Sequence, residues 1–273
     1  MIRRRTAVTA FAALALTATV LAGCSSTPAS DDSASTEGAD DLGLVTSGTL
    51  TVATEGTYRP FSFHEDGGTG DLVGYDVEII EAVAEKLDLE IVFQETQWDA
   101  IFAGLDAGRF DVIANQVSIN PEREASYLFS EPYTVSPGVI VTLEDDDSIS
   151  SFADLEGKTA AQSLTSNWYE LATESGATVE GVEGWAQAVA LLQQGRVDAT
   201  VNDKLTFLDY EKTDGPTGLK IAAETDEVGE QAFVATKEHE ALIAAIDGAL
   251  DELRADGTLA EISEKYFGAD VTE

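Results

Sequence analysis

Two kinds of hydrophobic spacing alternate along the chain after residue 44. Apolar residues at helical spacing form stripes at Ile80, Val83, Ala84 and Leu87 and at Trp98, Ile101, Phe102 and Leu105. Short extended runs surround these stripes: TLTVAT, EIVFQET and residues 111–115. Strands that alternate with helices at this pace are typical of βαβ units. The pattern therefore predicts an α/β fold with a mainly parallel sheet.

The second half of the chain extends this pattern. PYTVSPGVIVT predicts an extended crossover between lobes, and IAAETDEVGEQAFVATK predicts the strand that returns. Two closing helices are predicted from stripes at Leu242, Ile243, Ile246, Leu250 and Leu253 and at Leu259, Ile262 and Tyr266. The Gly-rich stretch DGGTGDLVG has the wrong spacing for a dinucleotide-binding loop, so we interpret it as a hairpin turn.

An internal repeat connects the two halves. WDAIFAGLDAGRFDVIANQ (98–116) aligns without gaps with WAQAVALLQQGRVDATVND (185–203). The matching pairs are Trp98/Trp185, Ala103/Ala190, Leu105/Leu192, Gly108/Gly195, Arg109/Arg196, Asp111/Asp198 and Asn115/Asn202. Each copy predicts a helix, a Gly-Arg turn and a buried strand. The repeat favours two similar α/β lobes, although the common chemistry of helix–strand turns can produce such a match by coincidence.

The N-terminus has the features of an export signal. MIRRR is basic, an apolar stretch follows, and LAGC ends it at Cys24, the only cysteine of the chain. LAGC resembles the lipobox of bacterial lipoproteins, which implies a signal peptide over 1–23 and lipid attached to Cys24; the alternative is an ordinary secretory signal with an incidental cysteine. Residues 24–43 contain almost no large apolar residue and predict a flexible tether. We expect an extracytoplasmic protein that its lipid anchors to the bacterial cell membrane.

Composition excludes several classes of function. The net charge of −36 opposes binding to nucleic acid. A single cysteine excludes internal disulfides, and lipid on Cys24 excludes a cysteine nucleophile. His64 and His239 lie far apart, and no catalytic motif or phosphate-binding loop is present. We therefore expect no catalytic residue, metal or cofactor.

Polar residues near the predicted strand ends suggest a binding site. Ligands of open α/β sheets bind outside the carboxyl ends of the strands. Glu55, Gln116, Ser118 and Asp203 lie at such ends, and Arg123 follows a few residues later. Arginine offers a planar fork for a carboxylate, and aspartate accepts from an ammonium. Together they match an α-amino acid zwitterion.

Each of these residues also has a purely structural interpretation. Arg123, flanked by acidic residues, is compatible with a surface ion pair. Asp203 can cap the helix that KLTFLDY predicts, and Ser118 can cap the turn into NPER. Tyr58 and Trp98 either cover the ligand side chain or belong to the core.

Motifs along most of the chain resemble those of a known family. EGTYRPFSF, GYDVEIIEAVAEKL, ANQVSINPER, FSEPYT, GRVDATVND and EKYFGADVT occur in the order seen in solute-binding protein family 3, the polar amino-acid receptors of ABC importers. The resemblance extends from about residue 44 to the C-terminus. It implies a two-lobed periplasmic-binding-protein type II fold in which each lobe is a mainly parallel sheet flanked by helices, joined by two hinge strands. EGTYRPFSF, NQVS, VND and FGADVT are most similar to the L-cystine-binding branch.

The resemblance also implies roles for individual residues. Arg123 would clamp the α-carboxylate with help from Ser118, Asp203 would take the α-ammonium, and Tyr58 and Trp98 would sandwich the ligand. Further contacts would come from the second lobe, from the segment AQSLTSN (161–167) and in particular from Ser163, Thr165, Ser166 and Asn167. Gln116 stands where many relatives have glycine, which narrows the pocket.

These expectations define an architecture and a function. Residues 44–135 and 231–273 would form lobe 1, and residues 136–230 would form lobe 2. The lobes would close over a polar amino acid, with L-cystine as a candidate, and the protein would act as a monomer that delivers the ligand to an ABC permease. The main alternative is a dehydratase-like enzyme on the same fold, with Glu55 as its acid–base group. A sensor module that signals to a separate membrane kinase is a third possibility.

Overall fold

The computed structural model describes residues 42–272, which lie within one compact unit. The predicted signal peptide, the predicted lipid site at Cys24 and nearly all of the predicted tether lie outside the described residues. Within residues 42–272, the helices lack the combination of length and hydrophobicity that a membrane-spanning segment needs.

Strands and helices alternate over the described range, as the hydrophobic pattern predicts. The strands are β1 (Thr49–Thr54), β2 (Thr57–Tyr58), β3 (Ser62–His64), β4 (Leu72–Val73), β5 (Glu90–Glu95), β6 (Val112–Ser118), β7 (Tyr127–Phe129), β8 (Thr134–Leu143), β9 (Thr159–Gln162), β10 (Thr178–Gly181), β11 (Ala199–Asp203) and β12 (Leu219–Thr236). The helices are α1 (Glu65–Gly68), α2 (Tyr75–Lys86), α3 (Trp98–Asp106), α4 (Pro121–Ser126), α5 (Asn167–Glu174), α6 (Trp185–Gln193), α7 (Lys204–Asp214), α8 (Glu240–Asp256) and α9 (Thr258–Phe267). The predicted hairpin is confirmed, because β3 and β4 pair antiparallel.

One continuous sheet carries the fold. Its strand order is β10-β9-β11-β8-β12-β6-β1-β5, and β7 also pairs with β12. At one end β5, β1 and β6 are parallel, and at the other end β10, β9 and β11 are parallel. The long strands β8 and β12 lie between these groups and pair antiparallel with their neighbours. The sheet therefore consists of two parallel groups that β8 and β12 connect.

Strands β8 and β12 are the two predicted crossings between the lobes. They pair from Thr134 opposite Gln231 to Leu143 opposite Leu219. The predicted lobe boundaries follow residues 135 and 230, and these two residues are register partners. Below, lobe 1 denotes residues 42–135 and 231–272, and lobe 2 denotes residues 136–230; this division remains a prediction.

Each lobe has buried apolar clusters on its part of the sheet. In lobe 1, side chains of α2 and α8 such as Ile80 and Leu250 pack in one cluster, and Ile101 of α3 packs in another. In lobe 2, Leu192 of α6 and Ala172 of α5 belong to separate clusters. Burial of these side chains is the main favourable contribution to folding. The apolar helix stripes that the sequence predicts therefore pack against the sheet.

The sequence repeat is a structural repeat. The backbone N–H of Asp111 donates to the Thr51 carbonyl at 2.8 Å, and the N–H of Asp198 donates to the Thr159 carbonyl at 2.8 Å. Each carboxylate accepts in return from the same partner: Asp111 Oδ2 from the Thr51 N–H at 2.7 Å, and Asp198 Oδ2 from the Thr159 N–H at 2.7 Å. Both aspartates thus fasten the start of a strand to its parallel neighbour.

The turns that precede these aspartates match as well. Gly108 and Gly195 have φ angles of 64° and 65°, in the left-handed region that favours glycine. The next residues, Arg109 and Arg196, donate their backbone N–H groups back to the preceding helices at 3.1 and 3.0 Å. Equal hydrogen bonds at equal offsets show that the two segments share one local structure.

Candidate functional site

A cavity lies between the lobes at the carboxyl ends of β1, β6, β9 and β11, and it encloses about 740 Å³ of empty space including its mouth. This is the edge at which open α/β sheets bind ligands. The predicted site residues in its wall are Glu55, Tyr58, Trp98, Gln116, Ser163, Ser166 and Asn167. The predicted site residues Ser118, Arg123, Thr165 and Asp203 lie outside the wall.

Glu55 directly follows β1 and is held by Asn115 on the adjacent strand β6. Asn115 Nδ2 donates to Glu55 Oε2 at 2.7 Å, and the Glu55 N–H donates to Asn115 Oδ1 at 2.8 Å. Burial raises the pKa of Glu55, and hydrogen bonds from Asn115 and the Trp98 backbone oppose this rise. The carboxyl group is therefore fixed in position at the rim of lobe 1.

Arg123 lies behind the wall of lobe 1 and is only 9% exposed. Its Nη1 donates to the Ser118 carbonyl at 2.9 Å, and its Cζ lies 5.3 Å from the ring centre of Trp98 and 5.5 Å from that of Phe102. Burial lowers the pKa of Arg123 to about 10. Within residues 42–272 it forms no ion pair with a carboxylate. The alternative of a surface ion pair is therefore wrong, and a largely desolvated guanidinium lies next to Trp98 of the wall.

Asp203 lies behind the wall on the side of lobe 2 and is completely buried. It ends β11 and caps α7, because its Oδ1 accepts from the Leu205 N–H at 2.8 Å and from Ser136 Oγ at 2.7 Å. Its Oδ2 lies 3.5 Å from Gln116 Nε2. Burial raises the pKa of Asp203 to about 6. The helix-cap interpretation is confirmed, and it occupies only one of the two carboxylate oxygens.

Gln116 separates Asp203 from the cavity and has an unusual backbone conformation. Its φ angle is 51°, in the left-handed region that glycine adopts without strain. The Gln116 N–H donates to Asp76 Oδ2, which also accepts from the Tyr133 hydroxyl at 2.9 Å. Asp76 is completely buried, and this burial raises its pKa to about 7. Gln116 and Ser118 were predicted to follow the strand, whereas β6 extends through Ser118 because Ser118 and Val117 pair with β12.

Hydrogen bonds join the two lobes across the cavity. The Tyr58 hydroxyl donates to Asn202 Oδ1 at 2.8 Å and accepts from Thr206 Oγ1 at 3.3 Å. Thr165 Oγ1 donates to Asp99 Oδ1 at 2.7 Å. The hydroxyl of Thr165, which was predicted to contact the ligand, therefore contacts lobe 1 in this structure. The described lobes are therefore in a closed arrangement.

The lobe 2 segment from Ser163 to Asn167 is tied to the starts of two helices. Ser166 caps α5 by accepting from the Tyr169 N–H at 3.0 Å, and it donates to the Ser163 carbonyl at 2.8 Å. Ser163 Oγ accepts from the Gly184 N–H at 3.0 Å, immediately before α6. Asn167 begins α5. These bonds fix the segment as one wall of the cavity.

The two predicted aromatic residues, Tyr58 and Trp98, combine a place in the cavity wall with packing against other rings. Trp98 lines the cavity and packs edge-on against Phe102, with ring centres 5.6 Å apart. Tyr58 lines the cavity and packs against Phe61, with ring centres 5.0 Å apart. Both side chains are half-buried. They are thus partly core residues and partly cavity residues.

Several wall residues were absent from the prediction. Asn115 and Asn202 line the cavity, as do Gln162, Glu183 and Trp185. The repeat pairs Asn115 with Asn202 and Trp98 with Trp185, so it contained the signal for three of these residues. Gln162 lies within the segment 161–167 that was predicted to contact the ligand, although it was not singled out. Glu183 had no such signal, because its position depends on how the end of β10 meets α6.

The wall combines polar and apolar side chains, and its charged side chains are acidic. Glu55 and Glu183 line it, and their carboxylates repel each other enough to contribute to the raised pKa of Glu55. Within the described part of the chain, no group of three or more His, Cys, Asp or Glu side chains is arranged to hold a metal ion. The wall itself offers hydrogen-bonding groups and two carboxylates to a ligand.

Comparison with known proteins assigns the chain to a family. Residues 50–269 match the bacterial extracellular solute-binding proteins, family 3. The L-cystine-binding protein TcyA of Bacillus subtilis is 51% identical over 257 residues, which cover 93% of this chain and 94% of that protein. The chain belongs to family 3 of the bacterial extracellular solute-binding proteins. Members of this family bind solutes, and the dehydratase alternative has no better support.

Solved structures confirm the predicted two-lobed type II fold. The L-cystine solute receptor of Neisseria gonorrhoeae, in its unliganded open conformation, is 47% identical and has a TM-score of 0.57, with 82% of this chain and 95% of that chain covered. An ancestral arginine-binding protein bound to glutamine is only 35% identical but has a TM-score of 0.77, with 82% and 99% covered. The better match to a ligand-bound structure at lower identity agrees with the hydrogen bonds that close the lobes.

Proposed function

We propose that this protein is the extracytoplasmic amino-acid-binding component of an ABC importer and that its ligand is a polar amino acid of the L-cystine type. The relatives from Bacillus subtilis and Neisseria gonorrhoeae, which are named for L-cystine, support this ligand class. The observation that carries the proposal is the buried guanidinium of Arg123 and the buried carboxylate of Asp203 behind the walls of one cavity. A zwitterion needs one group of each sign.

The two charged groups are each one side chain away from the cavity. Arg123 lies against Trp98, and Asp203 lies against Gln116. The Gln116 amide is a neutral donor, and a ligand ammonium would form a stronger, charge-assisted bond with Asp203. We expect the ligand to displace the amide of Gln116 from Asp203 and to place its carboxylate between Arg123 and Ser118.

Closure would follow from a shift in the population of conformations. A ligand that contacts both lobes binds the closed form better than the open form and therefore favours it. The bonds Tyr58–Asn202 and Thr165–Asp99 show that the closed form also has contacts of its own. The closed lobes would then be the form that the permease recognises.

The sequence supports the cellular setting of this function. The lipobox-like LAGC and the polar stretch after it suggest a lipid on Cys24 and a tether that keeps the lobes near the membrane. A receptor of this kind can act as a monomer, since both walls of the cavity come from one chain. The partner would be the membrane-spanning part of an ABC importer.

The dehydratase alternative depends on Glu55 as a free acid–base group. In the structure Asn115 Nδ2 and the Trp98 N–H both bind this carboxylate, which suits a structural or ligand-positioning role. Incubation of the protein with a cyclic dienyl acid tests this alternative. Turnover that Glu55→Gln abolishes would support the enzyme, and we expect none.

Calorimetric titration with the twenty amino acids and L-cystine tests the proposed function. We expect one or a few polar amino acids, with L-cystine among them, to bind in the micromolar range or tighter, as an importer receptor requires. If none of them binds more tightly than about 1 mM, corresponding to about −4 kcal/mol, the importer proposal is wrong.

A further inference from the structure

Four of the eight buried side-chain atoms that lack a hydrogen-bond partner among residues 42–272 belong to residues of the cavity wall. Buried side-chain atoms without a hydrogen-bond partner among residues 42–272 include Trp98 Nε1, Gln116 Oε1, Gln162 Nε2 and Trp185 Nε1, and all four residues line the cavity. A buried polar group without a partner destabilises the fold, so native proteins rarely retain several at one place. A ligand in the cavity is the natural source of the missing partners.

Two of these atoms belong to wall residues of lobe 2, Gln162 and Trp185, and both are donors. Gln162 ends β9 and is 3% exposed, and Trp185 begins α6 and is 9% exposed. The Val182 N–H donates to the Gln162 carbonyl at 3.0 Å, which ties the end of β9 to the approach to α6. An indole N–H can only donate. The pair therefore requires an acceptor.

The start of α6 favours a negatively charged acceptor at the same place. Gly184, Trp185 and Ala186 line the cavity and form the start of this helix. The residue before the helix is Gly184, which has no side chain that can accept from the first-turn N–H groups. The N-terminal end of a helix carries a partial positive charge and stabilises anions. The two buried side-chain donors add an independent reason to expect a carboxylate there.

This carboxylate is not the one that the proposed function assigns to Arg123. Arg123 lies behind Trp98 in lobe 1, whereas Gln162 and Trp185 lie in the wall of lobe 2. Glu183 and Glu55 also line the cavity, and their charges suit an ammonium group. A second carboxylate next to a second ammonium is the head group of a second amino acid.

We propose that Gln162 Nε2, Trp185 Nε1 and the first turn of α6 form a distal subsite for the second carboxylate of a double-headed amino acid. The proposal rests on the proposed function and narrows its ligand class from polar amino acids to bis-α-amino acids. The subsite discriminates by an acceptor at the far end of the ligand. An amino acid with a neutral or cationic side chain leaves its donors unpaired.

Mixed disulfides of L-cysteine test the distal subsite. The disulfide with cysteamine lacks only the distal carboxylate of L-cystine, and the disulfide with 3-mercaptopropionic acid lacks only the distal ammonium. Calorimetry should show that loss of the distal carboxylate weakens binding by about tenfold or more, since hydrogen bonds to charged groups are the strong ones. We expect the 3-mercaptopropionic acid disulfide to bind more tightly than the cysteamine disulfide.

Two substitutions connect this loss to the named donors. Gln162→Met and Trp185→Phe remove the N–H groups and keep much of each side chain's volume. Each should weaken L-cystine binding but leave the affinity for the cysteamine disulfide unchanged, which a general structural defect would not do. Gln193→Met is the matched control, because Gln193 lies at the far end of α6 and donates to the Thr217 carbonyl at 3.2 Å; it should affect neither ligand.

The outcomes separate this proposal from the proposed function. If L-cystine and the cysteamine disulfide bind equally well, the distal subsite is wrong while the amino-acid receptor stands. If the two variants weaken both ligands equally, the named donors do not form the subsite. If neither L-cystine nor either mixed disulfide binds, the ligand class in the proposed function fails and the subsite fails with it.

Discussion

The hydroxyl of Tyr58 in lobe 1 donates a hydrogen bond of 2.8 Å to Oδ1 of Asn202 in lobe 2. Both residues line the cavity. Their side chains are therefore available to a ligand, but in this structure they bind each other. Closure of the lobes is therefore stabilised by the protein itself in the arrangement that the structure describes. A ligand that displaces these contacts has to form interactions that are more favourable than the ones it replaces.

Tyr58→Phe should shift the unliganded protein toward the open form. The substitution removes the hydroxyl that contacts Asn202 and Thr206, and loss of such a bond changes the equilibrium by about 1 kcal/mol, or about fivefold. Small-angle X-ray scattering without ligand should show a larger radius of gyration than for the unsubstituted protein. Tyr127→Phe is the matched control, because the Tyr127 hydroxyl bonds to Asp106 within lobe 1. Equal radii for all three proteins would contradict the internal latch.

The two equivalent aspartates of the repeat, Asp111 and Asp198, should contribute unequally to the free energy of unfolding. Asp111→Ala leaves the Thr51 and Val45 N–H groups without their acceptor, and Asp111 is completely buried. We expect this substitution to lower the free energy of unfolding by about 2 to 3 kcal/mol. Asp198→Ala removes the equivalent bond to Thr159, but Asp198 is exposed and water can replace it, so we expect a loss below about 1 kcal/mol. Urea denaturation measures both, and equal losses would contradict the assignment of equivalent but differently buried sites.

Asp76 should make stability depend on pH. Burial raises its pKa from 3.8 to about 7 in the folded protein. Between these values the unfolded chain is ionised and the folded chain is protonated at this group, so stability falls as pH rises from about 4 to 7 and then levels off. Asp76→Asn stays neutral and keeps an acceptor for the Gln116 N–H. We expect the variant to match the unsubstituted protein near pH 4 and to exceed its stability by up to about 4 kcal/mol at pH 8.

Urea titrations at both pH values test this expectation for Asp76. The neighbouring groups that influence its ionisation are Tyr133, which donates to it, and Asp203, whose negative charge raises its pKa. These groups remain in the variant, so the difference between the two proteins isolates Asp76. A variant that is less stable by the same amount at both pH values would show that Asp76 is needed as an ionised acceptor.

Ligand affinity should fall in acid because of Asp203. Burial raises the pKa of Asp203 to about 6, and only the ionised carboxylate can pair with an ammonium. We expect the dissociation constant for the amino-acid ligand to be constant above about pH 7 and to rise toward tenfold per pH unit well below pH 6. Calorimetry between pH 5 and 8 provides the measurement, and Asp203→Asn should bind weakly at every pH. A flat profile would remove Asp203 from the ammonium site.

Sequence patterns predicted the fold because its determinants are periodic and repeated. The α3–β6 segment and its copy α6–β11 were visible as an ungapped alignment, since Gly108 and Gly195 need a left-handed turn and the aspartates that follow need a backbone partner. The same pattern predicted a binding site at the carboxyl ends of the strands, and the cavity lies there. Local chemistry of this kind is encoded within a few residues.

Contacts between distant elements could not be predicted in the same way. The left-handed conformation of Gln116 depends on Asp76, which lies forty residues earlier and meets it only in the folded protein. The bond of Thr165 to Asp99 depends on the closure of the lobes. The burial of Arg123 could not be predicted from its position between two acidic residues, because it depends on how Trp98 and Phe102 pack around the guanidinium.

The central claim is that the buried cation Arg123 holds the carboxylate of an amino-acid ligand. Calorimetric titration of Arg123→Ala with L-cystine tests it most directly, with Arg109→Ala as a control because Arg109 is an exposed arginine of the same lobe. We predict that Arg123→Ala weakens binding by about 100-fold or more, since a buried charge pair is lost, while the melting temperature stays within a few degrees. Arg109→Ala should bind as the unsubstituted protein does. An Arg123→Ala protein that is folded and binds L-cystine with unchanged affinity would contradict the account.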